Sequence, residues 1–347
     1  MKVIINGRFL LHRTTGVERY AREILLELDK IIRPDEIEIA IPEETKDIPN
    51  YKNIKVVRVG KLKNRLWEHI SFPNYVRKQK AVSLNLCNTA PLSNPGIVCI
   101  HDMKIKAHPE YYNKKFILWY EILFKNEIAR SKKIITVSEF SKKEINKYYK
   151  VSEDKIFVIP NAWQHYERIG FDENTLNKYG LKKNCFYFAM GSMDPNKNFK
   201  WIAEKAKEMP QEVFAVAGSI NEKVFAEGLG FEPSPNMNLL GFVSDEEAKT
   251  LMRDCKAFLF PSIYEGFGIP PLEAMSAGCK KIIVSDTEVM REIFGDSVIY
   301  INFKEKANAL KDSIYKTQGN FQTLKKYSWH KSALSLLELI RKEEKSD

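Results

Sequence analysis

Two carboxylates, Glu265 and Glu273, bracket a run of glycine and proline in PSIYEGFGIPPLEAMSAG, residues 261–278. The run KAFLFPS (256–262) reads as a strand, Gly266 and Gly268 as its exit turn, and Pro270-Pro271 as the opening of a helix, where proline's fixed φ and missing N–H cost nothing. Gly278 suits the residue that closes such a helix. A loop leading into a helix start offers backbone N–H groups and the positive end of the dipole, which is the chemistry that holds a diphosphate. Carboxylates beside an anion repel it unless they are engaged, and sugar hydroxyls donate well to charged acceptors. The plainer reading makes Glu273 a dipole partner in the first turn and Glu265 a surface acid.

Other residues could join that chemistry, each with an ordinary alternative. Lys197 follows the apolar run CFYFAMGS (185–192) and could meet a phosphate, or lie solvated on the surface. His101-Asp102 ends the run GIVCI; the histidine is structural or reactive, and the aspartate orients an acceptor or holds a loop. Thr14-Thr15-Gly16 allows a close backbone approach to a phosphate or acceptor, and equally a helix N-cap. Arg19 could reach a ligand or pair with Glu23 four residues on. Gly241-Phe242-Val243 closes another apolar run, where Phe242 is explained as well by a buried strand end.

The elements that must position these residues alternate. Runs rich in β-branched residues at 3–7, 36–41, 55–59, 82–87, 96–102, 132–138 and 156–162 predict parallel strands, with helices at 17–31, about 64–79, 114–131 and 139–149. A second series of strands follows at 185–192, 212–219, 237–243, 256–262, 280–286 and 298–302. The class is α/β, in two similar halves joined near Pro160 to Tyr166, and ligands belong where parallel strands end. The boundaries expected are 1–163 for the first domain, 164–326 for the second, and 327–347 for a helix packing back toward the first. That helix should bury Leu334, Leu337 and Ile340.

Length and composition agree. At 347 residues the chain is long for one core, and its 44% hydrophobic and 29% charged residues are globular proportions. No apolar run approaches a membrane span, and the start lacks a signal peptide's core, so a cytoplasmic protein is expected. Five cysteines without a CxxC pair (Cys87, Cys99, Cys185, Cys255, Cys279) read as reduced core residues. Residues 1–165 hold 30 Lys and Arg against 19 Asp and Glu, while the rest hold 25 against 26. The first half therefore suits an anionic partner, or carries its cations on solvated faces. Within it, 61–80 and 114–133 combine cations with aromatics. The second reads as core through Phe116, Ile117, Trp119, Tyr120, Leu123 and Phe124, and the first as core or membrane interface.

Glu265-Gly-Phe-Gly-Ile-Pro-Pro-Leu-Glu273 resembles the Glu-x7-Glu signature of the family 4 retaining glycosyltransferases. The likeness extends along the chain through Thr15 to Tyr20, Leu66-Trp67-Glu68 with Pro73, His101-Asp102, Val137 to Ser141, Pro160-Asn161, Gly191-Ser192 through Lys197-Asn198, Gly241 to Val243 and Ser328-Trp329. It is nearest to bacterial mannosyltransferase-like members that build surface polysaccharides. The resemblance implies the GT-B fold, two facing Rossmann-like doubly wound domains with a cleft between them. It implies transfer of a hexose, mannose favoured, from a nucleoside-diphosphate sugar to a glycan or polyprenyl-diphosphate-linked acceptor, with the anomeric configuration kept. Glu273 would hold the ribose hydroxyls and Glu265 the donor sugar, with Gly266, Phe267 and Gly268 offering N–H groups. Lys197 and Ser192 would sit at the diphosphate, Gly16 near it, Gly241 to Val243 beside the base, and His101 near the reacting sugar. Arg19 and Asp102 stand on the acceptor side.

Related sequences carry an arginine directly after the glycine or before the lysine, where this chain has Ser192 and Asn196. A cation outside the motif is then expected to compensate. No DxD sequence occurs, in keeping with a transfer that needs no metal and no cofactor. An anionic membrane surface is the further partner the basic half suggests, at the inner face of the cell membrane, and nucleic acid is not expected. A nucleotide-sugar epimerase of similar fold, or a basic nucleic-acid- or membrane-binding protein, would fit parts of the pattern. A dehydrogenase lacks its GxGxxG after every strand.

Overall fold

The computed structural model describes residues 2–218, 231–303, 310 and 322–346. Thirteen described strands form two all-parallel sheets. The first takes β1 (Val3–Asn6), β2 (Ile37–Ile41), β3 (Lys55–Arg58), β4 (Val82–Asn85), β5 (Ile97–Cys99), β6 (Lys133–Thr136) and β7 (Ile156–Val158) in the order β3-β2-β1-β4-β5-β6-β7. The second takes β8 (Phe186–Met190), β9 (Val213–Ala217), β10 (Met237–Gly241), β11 (Ala257–Phe260), β12 (Ile282–Ser285) and β13 (Ile299–Ile301) in the order β10-β9-β8-β11-β12-β13. Both are doubly wound Rossmann-like sheets. Strand order reverses between β1 and β4 in one and between β8 and β11 in the other, and at such switch points the loops diverge and leave room for a ligand. Ser219, the expected last residue of the β9 run, lies outside the described residues.

The central strands are buried on both sides, which is why their sequences are near-continuous Val, Ile, Leu and Phe rather than alternating. Two compact units result. One comprises residues 1–103, 118–161 and 328–347, and the other 104–117 and 162–327. In the first, the closing helix Trp329–Ser346 packs on helix Gly16–Ile31, and Ser332 Oγ donates to the Pro160 carbonyl at 2.7 Å.

Several sequence expectations shift here. The closing helix buries Leu337 and Ile340 as expected, together with Ala333, Leu336 and Leu339, but Leu334 is exposed, its place in the apolar stripe taken by Ala333. The helix at 64–78 has a wide turn over Trp67–Ser71. Helix Lys114–Arg130 buries only its inner face through Leu123, Phe124, Glu127 and Ile128; Phe116, Ile117, Trp119 and Tyr120 are half-buried. Cys185 is exposed and Cys87 half-buried, so only Cys99, Cys255 and Cys279 are core cysteines. Phe242 is 62% exposed, which removes the buried strand-end reading of that residue.

Candidate functional site

The Glu265–Glu273 segment leaves β11 at the switch point of the second sheet. Gly268 is the N-cap of helix Ile269–Ser276 at φ +96°, a left-handed conformation where a Cβ would lie 2.7 Å from the Met290 methyl, so only glycine makes this entry. Pro270 and Pro271 occupy the first turn. At the other end Gly278, at φ +84°, and Cys279 donate back to the carbonyls of Met275 (3.1 Å) and Ala274 (3.0 Å), the double closure that ends a helix in a left-handed glycine. The helix is thereby fixed at both ends, with its positive end turned to the loop Gly266–Gly268. Phe267 points its ring into the core, edge-on to Tyr327 at 5.0 Å, so that residue can serve a ligand only through its backbone.

Both acids have protein partners. Glu265 Oε1 accepts from Lys197 Nζ at 2.5 Å, and the ammonium also lies 5.1 Å from the centre of the Phe260 ring. An ammonium has three donors, so one bond to Glu265 leaves capacity for a further acceptor. Glu273, only 7% exposed, bonds His165 Nε2 at 2.8 Å. His165 is buried on a segment that is itself pinned: Trp163 Nε1 donates to the Leu324 carbonyl (2.9 Å), and Lys249 Nζ to those of Tyr166 and Ile169 (2.6 Å each). Sequence reasoning missed His165, because its partner stands 108 residues away.

The loop after β8 is stitched to the loop after β11. Asn196 Nδ2 donates to the Tyr264 carbonyl at 2.5 Å, and the Ile263 N–H to the Asn196 carbonyl at 2.8 Å. Position 196, where the resemblance led to the expectation of a cation, here supplies a buried tether. Asp194 accepts from the Asn196 N–H at 2.8 Å and from Lys104 Nζ at 2.6 Å, which brings an unforeseen cation to this loop. Ser192 is exposed beside it. Gly191 and Gly218 let two backbones meet, since a Cβ on Gly218 would fall 1.8 Å from the Gly191 carbonyl oxygen. The structure thus joins Lys197, Glu265 and the helix entry in one place, with Glu273 and His165 on that helix's flank.

The first unit has its own site, also at a switch point. A cavity of about 180 Å³ opens where β1 and β4 end, lined among others by Arg8, His12, Glu18, Arg65, Thr89 and Trp119. At its base the buried Glu68 accepts from Asn6 Nδ2 (3.0 Å), Thr89 Oγ1 (2.9 Å) and Arg8 Nη1 (2.9 Å). Asn6 also donates to Asn85 Oδ1 at 3.0 Å. A charge this buried is tolerable only because it is so fully bonded.

The expected first-unit residues fall around Tyr20. Thr15 caps helix Gly16–Ile31 with Glu18 Oε2 accepting its N–H at 3.1 Å, so Gly16 opens the helix as its first residue. Arg19 is half-buried on the same first turn. His101 lies two residues past β5, buried, with Nε2–H donating to the Leu86 carbonyl at 2.8 Å and Tyr20 edge-on at 4.8 Å. Burial pushes the imidazole below its ordinary value and keeps it neutral, so its Nδ1 carries the lone pair. Asp102, next in the chain, is half-buried.

Comparison with known proteins bears on both units. The family model described as Glycosyltransferase Family 4 matches residues 14–163, and that described as Glycosyl transferases group 1 matches residues 171–320. An O-antigen chain mannosyltransferase of Salmonella typhimurium, RfbU, is 30% identical over 221 residues, 62% of this chain and 59% of that protein. The chain thus spans about three fifths of the length of this relative. Among solved structures, sucrose-phosphate synthase from Thermosynechococcus elongatus superposes with a TM-score of 0.74 over all of both chains at 14% identity. Anabaena Alr3699/HepE in complex with UDP-glucose does so with a TM-score of 0.70 over 99% of this chain and all of that one, at 16% identity.

Proposed function

From a chain that belongs to the family 4 glycosyltransferases and carries their GT-B fold, we propose a retaining hexosyltransferase that uses a nucleoside-diphosphate sugar. The observation that carries the reading is the entry of helix Ile269–Ser276: a left-handed glycine cap sets the positive helix end behind the loop 266–268, with Lys197 held on Glu265 at that loop. An anionic diphosphate meets donors there, and charge that gathers on it as the sugar departs is stabilised by groups already in place. Glu265 and Glu273 accept from donor hydroxyls, the first at the sugar and the second at the ribose. Lys104 is the cation outside the motif onto which the missing arginine's part would fall. No metal and no cofactor enters this proposal.

His101 is the catalytic residue proposed on the first unit. Its neutral ring is fixed by the bond to Leu86, so its Nδ1 acceptor has a defined direction. Retention follows from attack on the face the leaving phosphate occupies, with that phosphate taking the acceptor's proton. The acceptor is a glycan or a polyprenyl-diphosphate-linked saccharide in surface polysaccharide synthesis, and Arg19 and Asp102 stand on its side. Mannose is the favoured sugar, because the Salmonella relative is an O-antigen mannosyltransferase.

A thermal-shift series with UDP, GDP, dTDP and their sugars, with and without a divalent cation, tests this. A ligand that binds only the folded chain at 100 times its Kd adds about 2.7 kcal/mol. We expect one base to raise Tm clearly, with no dependence on the cation. The reading fails if every nucleotide leaves Tm unchanged.

A further inference from the structure

We propose that Cys255 and Cys279 are a reversible oxidation site, a pair of thiols set to close a disulfide across the base of the segment that carries Glu265 and Glu273. The register of the second sheet brings them level. β11 and β12 pair as Phe258 with Ile282, Leu259 with Ile283 and Phe260 with Val284. Counting back three residues from the first of these pairs reaches Cys255 on the approach to one strand and Cys279 on the approach to the other. Neighbouring strands run about 4.8 Å apart, inside the Cα separation of about 4.4–6.8 Å that a disulfide spans.

The two sulfurs are 3.7 Å apart, and both residues are fully buried. A bond of about 2.0 Å requires them to close less than half of that distance. The space between them is free of protons that have nowhere else to go. Each thiol has a backbone carbonyl to donate to, Met252 for Cys255 at 3.3 Å and Lys281 for Cys279 at 3.2 Å, so both protons can point away from the facing sulfur. The backbone on either side is also fixed. The Cys255 N–H donates to the Leu251 carbonyl at the end of helix Asp245–Asp254, and the Cys279 N–H to that of Ala274 where helix Ile269–Ser276 closes, each at 3.0 Å. The other cysteines are placed differently: Cys185 is exposed, Cys87 Sγ lies 3.7 Å from the Val17 carbonyl, and Cys99 Sγ lies 3.5 Å from His101 Nε2.

Hydrogen peroxide is an oxidant small enough to reach a buried pair through local opening. One sulfur attacks it and the O–O bond breaks, which gives a sulfenic acid and one water that carries off the thiol proton. The second sulfur then attacks the first, the S–O bond breaks, and the hydroxyl leaves with the second thiol proton as another water. The two sulfurs give up two electrons in all, and the peroxide takes them up. Excess dithiol reverses the bond by exchange.

The bond would join residues 24 apart in the chain, and between them lie β11, its exit loop and helix Ile269–Ser276. Such a link restricts the unfolded chain more than the folded one and so stabilises the fold. Any bearing on nucleotide affinity rests on the transferase reading; the bond itself does not.

The test treats the full chain carrying Cys185→Ser, which removes the exposed thiol, with hydrogen peroxide in the folded state and without nucleotide. Mass-spectrometric mapping of the alkylated, unreduced protein should find the peptides of Cys255 and Cys279 joined, and dithiothreitol should separate them. Oxidation should raise Tm by about 5 °C or more, and reduction should return it. Cys255→Ala and Cys279→Ala, each compared with its own reduced form, should show neither the joined peptides nor the rise. Free thiols at both positions after oxidation, or sulfinic and sulfonic acids there in place of a bond, overturn the proposal, as does an equal rise in the alanine variants. Mapping needs only the folded chain with both thiols present, so it decides even where an alanine variant fails to fold. The Tm rise with UDP or GDP is read separately on reduced protein. A bond that forms where no nucleotide shifts Tm leaves the pair standing and sinks the transferase reading, and a nucleotide shift without the bond does the reverse.

Discussion

Glu273 shows what a single residue needs in order to grip a hydroxyl. Held at 2.8 Å by a buried histidine and only 7% exposed, its carboxylate is already oriented, and a donor hydroxyl would not have to order it. Hydrogen bonds to charged groups contribute about 1.5–3 kcal/mol, roughly 10- to 100-fold in affinity. Glu273→Ala and Lys197→Ala should therefore each weaken nucleotide-sugar binding by about that factor in titration calorimetry, and His165→Phe by less, since the acid remains but loses its orienting bond. His101→Ala should leave donor affinity near the parent's and slow turnover. Unchanged donor affinity in both of the first two variants would count against their assignment. The spacing of Glu265 and Glu273 and the apolar run before Lys197 made those residues legible in the sequence. The groups around them were not, because His165 reaches Glu273, and Lys104 reaches Asp194, only when distant segments are brought together.

At the scale of elements, the strands were legible because each is a short β-branched run buried on both sides, and such runs leave little choice. Helices were legible in existence but less so in facing. In Lys114–Arg130 the composition concealed that Leu118 and Ile122 face water while Glu127 is buried. Glu127 Oε1 accepts the Ala90 N–H at 2.8 Å; its other oxygen has no hydrogen-bond partner among the described residues. Burial pushes its carboxyl well above the usual range, with the neighbouring Glu68 charge adding to the shift. The folded chain then holds a proton that the unfolded chain releases. This group's stabilising contribution is fully present below the ordinary carboxylate value and is lost as pH rises through the folded one. Glu127→Gln keeps an acceptor for Ala90 and cannot ionise. Between about pH 5 and about pH 9 its Tm should fall less than the parent's, the gap widening toward the alkaline end. A constant gap across that range would show that Glu127 is ionised in the folded protein.

The whole molecule repeats one device with different chemistry. Each sheet reverses strand order once, and at each reversal polar side chains gather: Glu68 under Arg8 and Asn6 in one unit, Lys197 with Glu265 in the other. The charge is not repeated, since residues 1–165 carry the entire positive excess. Charge alone would put a diphosphate site in the basic half. Local geometry argues otherwise, because an anion is held by donors aimed at one point, and the second unit supplies them from a glycine turn, a helix end and one anchored lysine although its net charge is near zero. Hydrogen exchange decides between the two. With UDP or GDP bound, slowed exchange should concentrate at 191–199 and 262–279, where the loops after β8 and β11 lie, and the amides of β1 and β4 should keep their free rates. Protection centred on Asn6 to Glu18 instead would move the nucleotide to the basic unit and make the cations, not the helix end, its determinant.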